Sequence, residues 1–246
     1  MQVMLITGAS RGIGAATAIA AAKKGYAVCV NYRSDSAAAA KVVEQIHQSG
    51  GTAVAVQADI SNEAEVAHLF ARTQATLGIP VAVVNNAGIL QAGSIETIDA
   101  NRLQQVFALN VFGAFHCARE AVKFMSTRYG GSGGSIVNVS SVAAKLGSPG
   151  EYIDYAASKG AIDTMTIGLA TEVAEQGIRV NAVRPGVIYT DIHASGGEPD
   201  RVDRVRHSVP MKRGGNPEEI ASAVLWLASD EAAYCTGSFI DVSGGR

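Results

Sequence analysis

Tyr155 and Lys159 stand four residues apart in Asp154-Tyr155-Ala156-Ala157-Ser158-Lys159-Gly160-Ala161, a run of small residues that predicts helix. On a helix those two positions share one face, so the phenol and the ammonium point into the same space. A neighbouring cation favours phenolate and draws a tyrosine pKa down from about 10 toward working pH. A phenol tuned in this way exchanges a proton with a bound reactant, which is general acid–base chemistry. Tyr152 has Ala156 at the matching position, lacks a cationic partner, and reads as a packing residue.

A second constellation lies near the start. Thr7-Gly8-Ala9-Ser10-Arg11-Gly12-Ile13-Gly14 follows an apolar run and opens a helical pattern. Glycines at such a junction allow a tight turn and close backbone approach, and the helix N-terminus offers free N–H groups and a positive dipole to a pyrophosphate. The Gly-Lys-Ser/Thr ending of an ATP-binding loop is missing, which argues against phosphoryl transfer. The second apolar run ends Asn31-Tyr32-Arg33-Ser34, with no acid before Asp35. An acid at that point would accept hydrogen bonds from a ribose 2′-hydroxyl, whereas Arg33 and Arg11 could both grip a 2′-phosphate. NADP(H) is therefore expected ahead of NAD(H), the alternative being that Arg33 is a solvated surface charge. Asp59-Ile60 could hydrogen-bond and sandwich an adenine, and Asn85-Asn86-Ala87-Gly88 brings polar and small residues to the same crevice. Both segments also suit ordinary turns.

The elements that must position these residues alternate from end to end. Near-continuous apolar runs at 2–7, 26–32, 52–57, 80–85, 134–140, 178–184 and 237–241 predict parallel strands covered on both faces. Helical patterns lie between them at about 12–24, 36–49, 62–77, 101–129 (with a break), 153–176 and 217–229. Asn216-Pro217-Glu218-Glu219 and Asn62 with Glu65 carry helix-start signals. Repeated strand–helix–strand units predict one α/β domain over 1–246 with a seven-stranded, doubly wound parallel sheet. Gly130-Gly131-Ser132-Gly133-Gly134 reads as a loop feeding the fifth strand rather than a boundary. The formal net charge of -2, with acids and bases interspersed, gives no basic stripe for nucleic acid or anionic lipid. No apolar run is long enough for a membrane span, and Cys29, Cys117 and Cys235 read as buried small hydrophobes of a reducing compartment. A cytoplasmic location without membrane or nucleic-acid partners is expected, and no histidine pairs with Cys or carboxylate as a metal site would require.

Thr7-Gly8-xxx-Gly12-x-Gly14, Asn85-Asn86-Ala87-Gly88, Asn110, Ser140-Ser141, Tyr155-xxx-Lys159 and Pro185-Gly186 follow one another as in the short-chain dehydrogenase/reductase family, which the whole chain resembles. Within it the chain is similar to 3-oxoacyl-(acyl-carrier-protein) reductases and glucose 1-dehydrogenase-like enzymes. The resemblance implies a single-domain Rossmann fold and a carbonyl/secondary-alcohol oxidoreductase. It implies four catalytic residues: Tyr155 exchanging the proton, Lys159 lowering its pKa and holding the nicotinamide ribose, Ser141 holding the substrate oxygen, and Asn110 holding a water that links Lys159 to solvent. Gly8, Ser10, Arg11, Gly12, Ile13, Gly14, Arg33, Asp59, Ile60, Asn86, Ala87 and Gly88, with Tyr155 and Lys159, would hold the cofactor. Pro185, Gly186, Ile188 and Thr190 would complete that site at its nicotinamide end.

Ser141 precedes Tyr155 by fourteen residues where the family more often has thirteen, and Ser140 is the competing candidate. The extra residue is assigned to the loop Gly147-Ser148-Pro149-Gly150-Glu151. Residues at about 190–210 resemble a mobile substrate lid, in which His193 could touch substrate but more simply reads as solvated. In the family the resemblance points to, helices like those at 101–125 and 155–175 pair between subunits and a strand like 239–242 supports a second interface, which implies a homotetramer, though from sequence alone these apolar faces could equally be core. The alternative to an enzyme is a non-catalytic NADP(H)-binding redox sensor or scaffold, which would be expected to lose Tyr155, Lys159 or Ser141.

Overall fold

Seven strands build one parallel sheet in the computed structural model, which describes residues 1–246. They are β1 (Val3–Ile6), β2 (Ala27–Tyr32), β3 (Thr52–Gln57), β4 (Pro80–Asn85), β5 (Gly134–Val139), β6 (Ile178–Pro185) and β7 (Phe239–Val242). Their order is β3-β2-β1-β4-β5-β6-β7, and every neighbouring pair is parallel. The strands fall where the apolar runs predict, except that β7 begins two residues later than expected. The chain first moves outward from β1 through β2 and β3, then crosses back to β4. Connections leaving β1 and β4 therefore diverge at their carboxyl ends and open a crevice between them.

Ten helices flank the sheet: α1 (Gly12–Lys23), α2 (Ser36–Gln48), α3 (Glu63–Leu77), α4 (Ala100–Phe107), α5 (Gly113–Met125), α6 (Ala143–Leu146), α7 (Ile153–Val173), α8 (Asp191–Ser195), α9 (Arg201–Val205) and α10 (Pro217–Ala228). The twofold period of the strands divides the core between the faces. Met4, Ile6, Val28 and Val30 pack with Ala18, Ile46 and Leu227 of α1, α2 and α10. Leu5, Cys29 and Val83 point the other way, into Phe70, Ala121 and Val173 of α3, α5 and α7. Cys29 and Cys117 are fully buried, whereas Cys235 is only half-buried and departs from the expectation. No helix is long and apolar enough to cross a membrane.

The helix-start signals are borne out unequally. Glu219 accepts from the Asn216 backbone N–H at 2.8 Å, with Pro217 opening α10. At α3, Asn62 accepts from the N–H groups of Ala64 and Glu65, but the Glu65 carboxylate turns to the Asp59 N–H at 2.7 Å. The break expected within 101–129 is a π-helical segment, Ala108–Phe112, between α4 and α5. Helices α6, α8 and α9 were not expected, because four or five residues are too few for a helical period to register.

Candidate active site

The glycine turn is fastened to three strands. The Thr7 hydroxyl donates to the Val84 carbonyl and accepts from the backbone N–H groups of Asn86 and Ala87, at 3.0 and 3.1 Å. The Asn86 carboxamide donates back to the carbonyls of Thr7 (2.8 Å) and Gly8 (3.1 Å). Asn31, at the end of β2, accepts from the Gly8 N–H and donates to the Val56 and Ala58 carbonyls. Gly8 has φ +61°, and a Cβ there would lie 2.9 Å from the Ala87 Cα. A Cβ on Gly14 would lie 2.5 Å from the Asn86 Nδ2 and 2.5 Å from the Gly8 carbonyl oxygen. Only glycine fits these crossings. α1 has no side-chain cap and no acid in its first turn, so its N–H groups face the cleft unblocked beside Ser10, Arg11 and Ile13. That cradle fits a pyrophosphate.

At the outer end of the cleft, Arg11 and Arg33 are exposed and neither makes an ion pair. Asp35, which also borders the cleft, accepts from the Ala38 N–H at 2.9 Å through one carboxylate oxygen and caps α2. Asp59 holds Ser61 through both its N–H and its hydroxyl. Ile60 borders the cleft while the tip of its side chain lies under Gly113 of α5.

The cleft has a volume of about 410 Å³ and runs from Arg33 to Arg201. Every residue expected at the cofactor or the reaction borders it except Gly14 and Asn110. Gly14 lies behind the wall, under Asn86, and its contribution is the close approach just described. Asn110 occupies the π-helical segment and is 2% exposed. Its carboxamide accepts from the Ile89 N–H (2.8 Å) and donates to the Ile89 carbonyl (2.9 Å) and the Ser158 hydroxyl (3.0 Å). Gly88 lies between it and Lys159: a Cβ there would be 3.3 Å from Asn110 Oδ1 and 3.6 Å from Lys159 Nζ.

Tyr155 and Lys159 do share one face of α7, with the ammonium 5.6 Å from the centre of the phenol ring. The electrostatics depart from expectation. Burial pushes the Tyr155 phenol well above its ordinary value, with hydrogen bonding to Ser141 pulling the other way. Burial also brings Lys159 down to about 8, opposed by the nearby Asp163 carboxylate. Desolvation of both groups outweighs their mutual influence, so the cation alone does not tune the phenol. The ammonium donates instead to the Val139 carbonyl at 2.7 Å. Of the two serines, both of which border the cleft, Ser140 donates to Asp163 at 2.6 Å, while Ser141 accepts from the Ala143 N–H at 3.1 Å and hydrogen-bonds Tyr155.

The inner end of the cleft holds residues whose burial there the sequence concealed. Tyr152 stacks edge-on against Tyr155 with ring centres 5.6 Å apart, as a packing residue would, but its hydroxyl also accepts from Arg201 at 2.5 Å. Arg201 is 1% exposed and its guanidinium also donates to Glu151 (2.5 Å) and Glu198 (2.9 Å). His193, expected to be solvated, is 8% exposed, and burial holds its pKa below the usual histidine value, with Arg201 adding to the effect. A buried bidentate pair, Arg102 with Asp154 at 2.7 and 2.8 Å, fixes the start of α7 and reaches the Gln91 and Ala92 carbonyls. No local pattern announces these pairs, since their members lie about fifty residues apart.

A family model described as enoyl-(acyl carrier protein) reductase matches residues 8–246. An uncharacterized oxidoreductase of Escherichia coli, YgfF, is 58% identical, the alignment covering 100% of both chains. A 3-oxoacyl-(acyl-carrier-protein) reductase of Synechocystis is 41% identical over 99% of this chain and 96% of its own. Among solved structures, a double mutant of a Serratia marcescens short-chain dehydrogenase/reductase superposes with a TM-score of 0.90 at 31% identity, covering 99% of this chain and 97% of the other.

Proposed function

The chain belongs to the short-chain dehydrogenase/reductase family of oxidoreductases, and on that premise we propose that it interconverts a carbonyl and a secondary alcohol with NADP(H), Tyr155 exchanging the proton. The observation that carries the reading is the meeting of Tyr155, Ser141 and Lys159 in the same cleft as the uncapped end of α1. When bound, the nicotinamide supplies or accepts the hydride.

The protein's own residues do the rest. Ser141 holds the substrate oxygen and stabilises the charge that develops on it. Tyr155 gives that oxygen its proton in reduction and takes it back in oxidation. Lys159, held by the Val139 carbonyl, supplies positive charge beside the phenol and would hold the nicotinamide ribose of a bound cofactor. Asn110 fixes Ile89 and Ser158, and Gly88 keeps the space between Asn110 and Lys159 clear for a proton path. Arg11 and Arg33, which border the cleft free of ion pairs, would hold a 2′-phosphate, which favours NADP(H) over NAD(H). Pro185, Gly186, Ile188 and Thr190 border the cleft and would hold the nicotinamide end of the cofactor, and the 190–210 segment with α8 and α9 would close over substrate as a lid. Leu103, Phe112 and Phe115 near α4 and α5, with Ile167 on α7, leave apolar side chains exposed that suit burial in a homotetramer. Sedimentation should give four copies, and Phe115→Glu should yield smaller species. A monomeric wild-type protein would remove that part of the reading.

The test is NADPH oxidation followed by absorbance with a panel of carbonyl compounds, alongside NADPH binding alone. Turnover of at least one carbonyl compound is expected. Binding without turnover across a broad panel would favour a sensor or scaffold instead.

A further inference from the structure

Tyr155 stands in the first turn of α7, the part of a helix most prone to fraying. Tyr152, at the N-cap position, makes no side-chain cap, so the turn that carries the phenol depends on another anchor. Asp154, one residue before Tyr155 and 3% exposed, supplies it. Its two carboxylate oxygens accept from Nε and Nη2 of Arg102, at 2.7 and 2.8 Å. Arg102 itself springs from a fixed point, because Asp99 caps α4 by accepting from the Arg102 N–H at 2.8 Å.

The same guanidinium holds a second segment. It donates to the carbonyls of Gln91 (2.5 Å) and Ala92 (3.2 Å), in the irregular stretch that follows β4. Gly93 permits that approach: it has φ +155°, and a Cβ there would lie 2.6 Å from Arg102 Nη1. Leu90, at the start of the stretch, packs in one apolar cluster with Tyr152 and Tyr155. The Ala92 N–H donates to the Gly196 carbonyl just past α8, and the Gly93 N–H donates to the Glu151 carbonyl ahead of α7. One buried cation thus joins the turn that carries the phenol to the chain beside it and to the lid segment. Neither Arg102 nor Asp154 borders the cleft.

An ion pair buried this deeply adds little net stability over an apolar pair of similar size, since desolvation offsets the attraction. Its contribution is direction, because a guanidinium and a carboxylate bond in one plane through two parallel hydrogen bonds. We propose that Arg102 is a positioning residue for hydride transfer, setting the Tyr155 phenol through Asp154 and the Leu90–Ala92 stretch and lid through the Gln91 and Ala92 carbonyls. The proposal rests on the hydride-transfer reading above and adds to it a residue that touches neither cofactor nor substrate.

The test counts active sites by NADPH fluorescence titration and measures kcat per site and KM. The substrate is the carbonyl compound that the wild-type protein reduces fastest in the panel above. Asp154→Asn leaves the bonds to Gln91 and Ala92 in place but spoils the fork. Its kcat should fall about tenfold to hundredfold, the effect of misplacing a reacting group by up to about 1 Å, with KM within about threefold of wild type. Arg102→Lys, whose ammonium has no planar fork, loses both arms, so kcat should fall and KM should rise about tenfold. Arg102→Gln combined with Asp154→Asn leaves no unpaired charge buried, folds where a single variant does not, and should lose kcat in the same way. NADPH affinity should stay near wild type in all three. A purely structural pair would lower the number of NADPH sites and leave kcat per site and KM at wild-type values. That result, equal KM in the two single variants, or NADPH affinity lost together with turnover would overturn the proposal and leave hydride transfer standing. NADPH binding without oxidation by any carbonyl compound would overturn both.

Discussion

The Lys159 ammonium and the Tyr155 phenol lie on one face of α7, 5.6 Å apart from charge to ring centre, yet each is governed more by burial than by the other. A helix of small residues brings them together, and the Val139 carbonyl at the end of β5 takes the ammonium's hydrogen bond. Lys159 is thus a cation held in a desolvated place, the condition under which its field acts most strongly on a reacting oxygen. Such a placement works against stability.

Lys159→Met should therefore raise stability near neutral pH while abolishing turnover. The pKa of Lys159 is brought from an ordinary 10.5 to about 8 in the folded protein. Below the folded value both states carry the proton and the folded state bears the full burden of burying the charge. As pH rises from about 8 toward 10.5 the folded state releases its proton first, and wild-type stability increases. The variant's advantage should reach at most about 3 kcal/mol at pH 7, reduced by the lost bond to Val139, and shrink through that window. Denaturant midpoints for both proteins at neutral and alkaline pH measure it. A variant no more stable at neutral pH, or a difference independent of pH, would contradict the burial argument.

Tyr155→Phe keeps the ring against Tyr152 and removes only the hydroxyl. Turnover should drop by roughly 10²–10⁴, the usual contribution of a positioned acid or base. NADPH affinity, read by fluorescence titration, should stay near wild type. Unchanged turnover would refute the assignment of Tyr155.

The sheet and the glycine turn were legible because they depend on local pattern. Val3-Met4-Leu5-Ile6 can only be a strand buried on both faces, and Gly8, Gly12 and Gly14 mark a turn that no other residue could make. Tyr155 and Lys159 were legible as a pair because helical spacing fixes their relation. Their electrostatics were not, since burial depends on everything folded around them. Arg201 shows the limit most clearly: in sequence it is one charge in a polar stretch, and in the fold it is the largest side chain buried to less than 2% exposure. Its partner Glu151 lies fifty residues earlier, and only the packing of the α8–α9 segment against the 147–151 loop brings them together. Asn110 was found only through family resemblance, and its bonds to Ile89 and Ser158 depend on a π-turn without a sequence signature.

Replacing Asn110 tests whether that turn is held by its carboxamide. Asn110→Ala leaves the Ile89 N–H and the Ser158 hydroxyl short of a partner, at a cost of about 1–3 kcal/mol. Asn110→Asp keeps an acceptor for the Ile89 N–H but loses both donations, and should be destabilised as well. Calorimetry should rank both below wild type. An alanine variant as stable as wild type would show that the π-turn stands without the side chain.

The proposed preference for NADP(H) turns on Arg33. Asp35, the first acid after β2, lies beyond the strand end and gives one carboxylate oxygen to the Ala38 N–H as the cap of α2. Arg33 and Arg11 border the same part of the cleft with no carboxylate paired to either. A charged hydrogen bond to a phosphate contributes about 1.5–3 kcal/mol, so Arg33→Asp should weaken NADPH binding roughly tenfold to hundredfold. NADH, which has no 2′-phosphate, should bind with affinity close to wild type or better, because the new carboxylate can accept from its hydroxyl. Titrating both nucleotides against both proteins gives the ratio directly, and raised salt should shrink the NADPH difference as exposed charges are screened. If NADPH affinity survives Arg33→Asp unchanged, the 2′-phosphate has no partner in Arg33 and the preference for NADP(H) loses its physical basis.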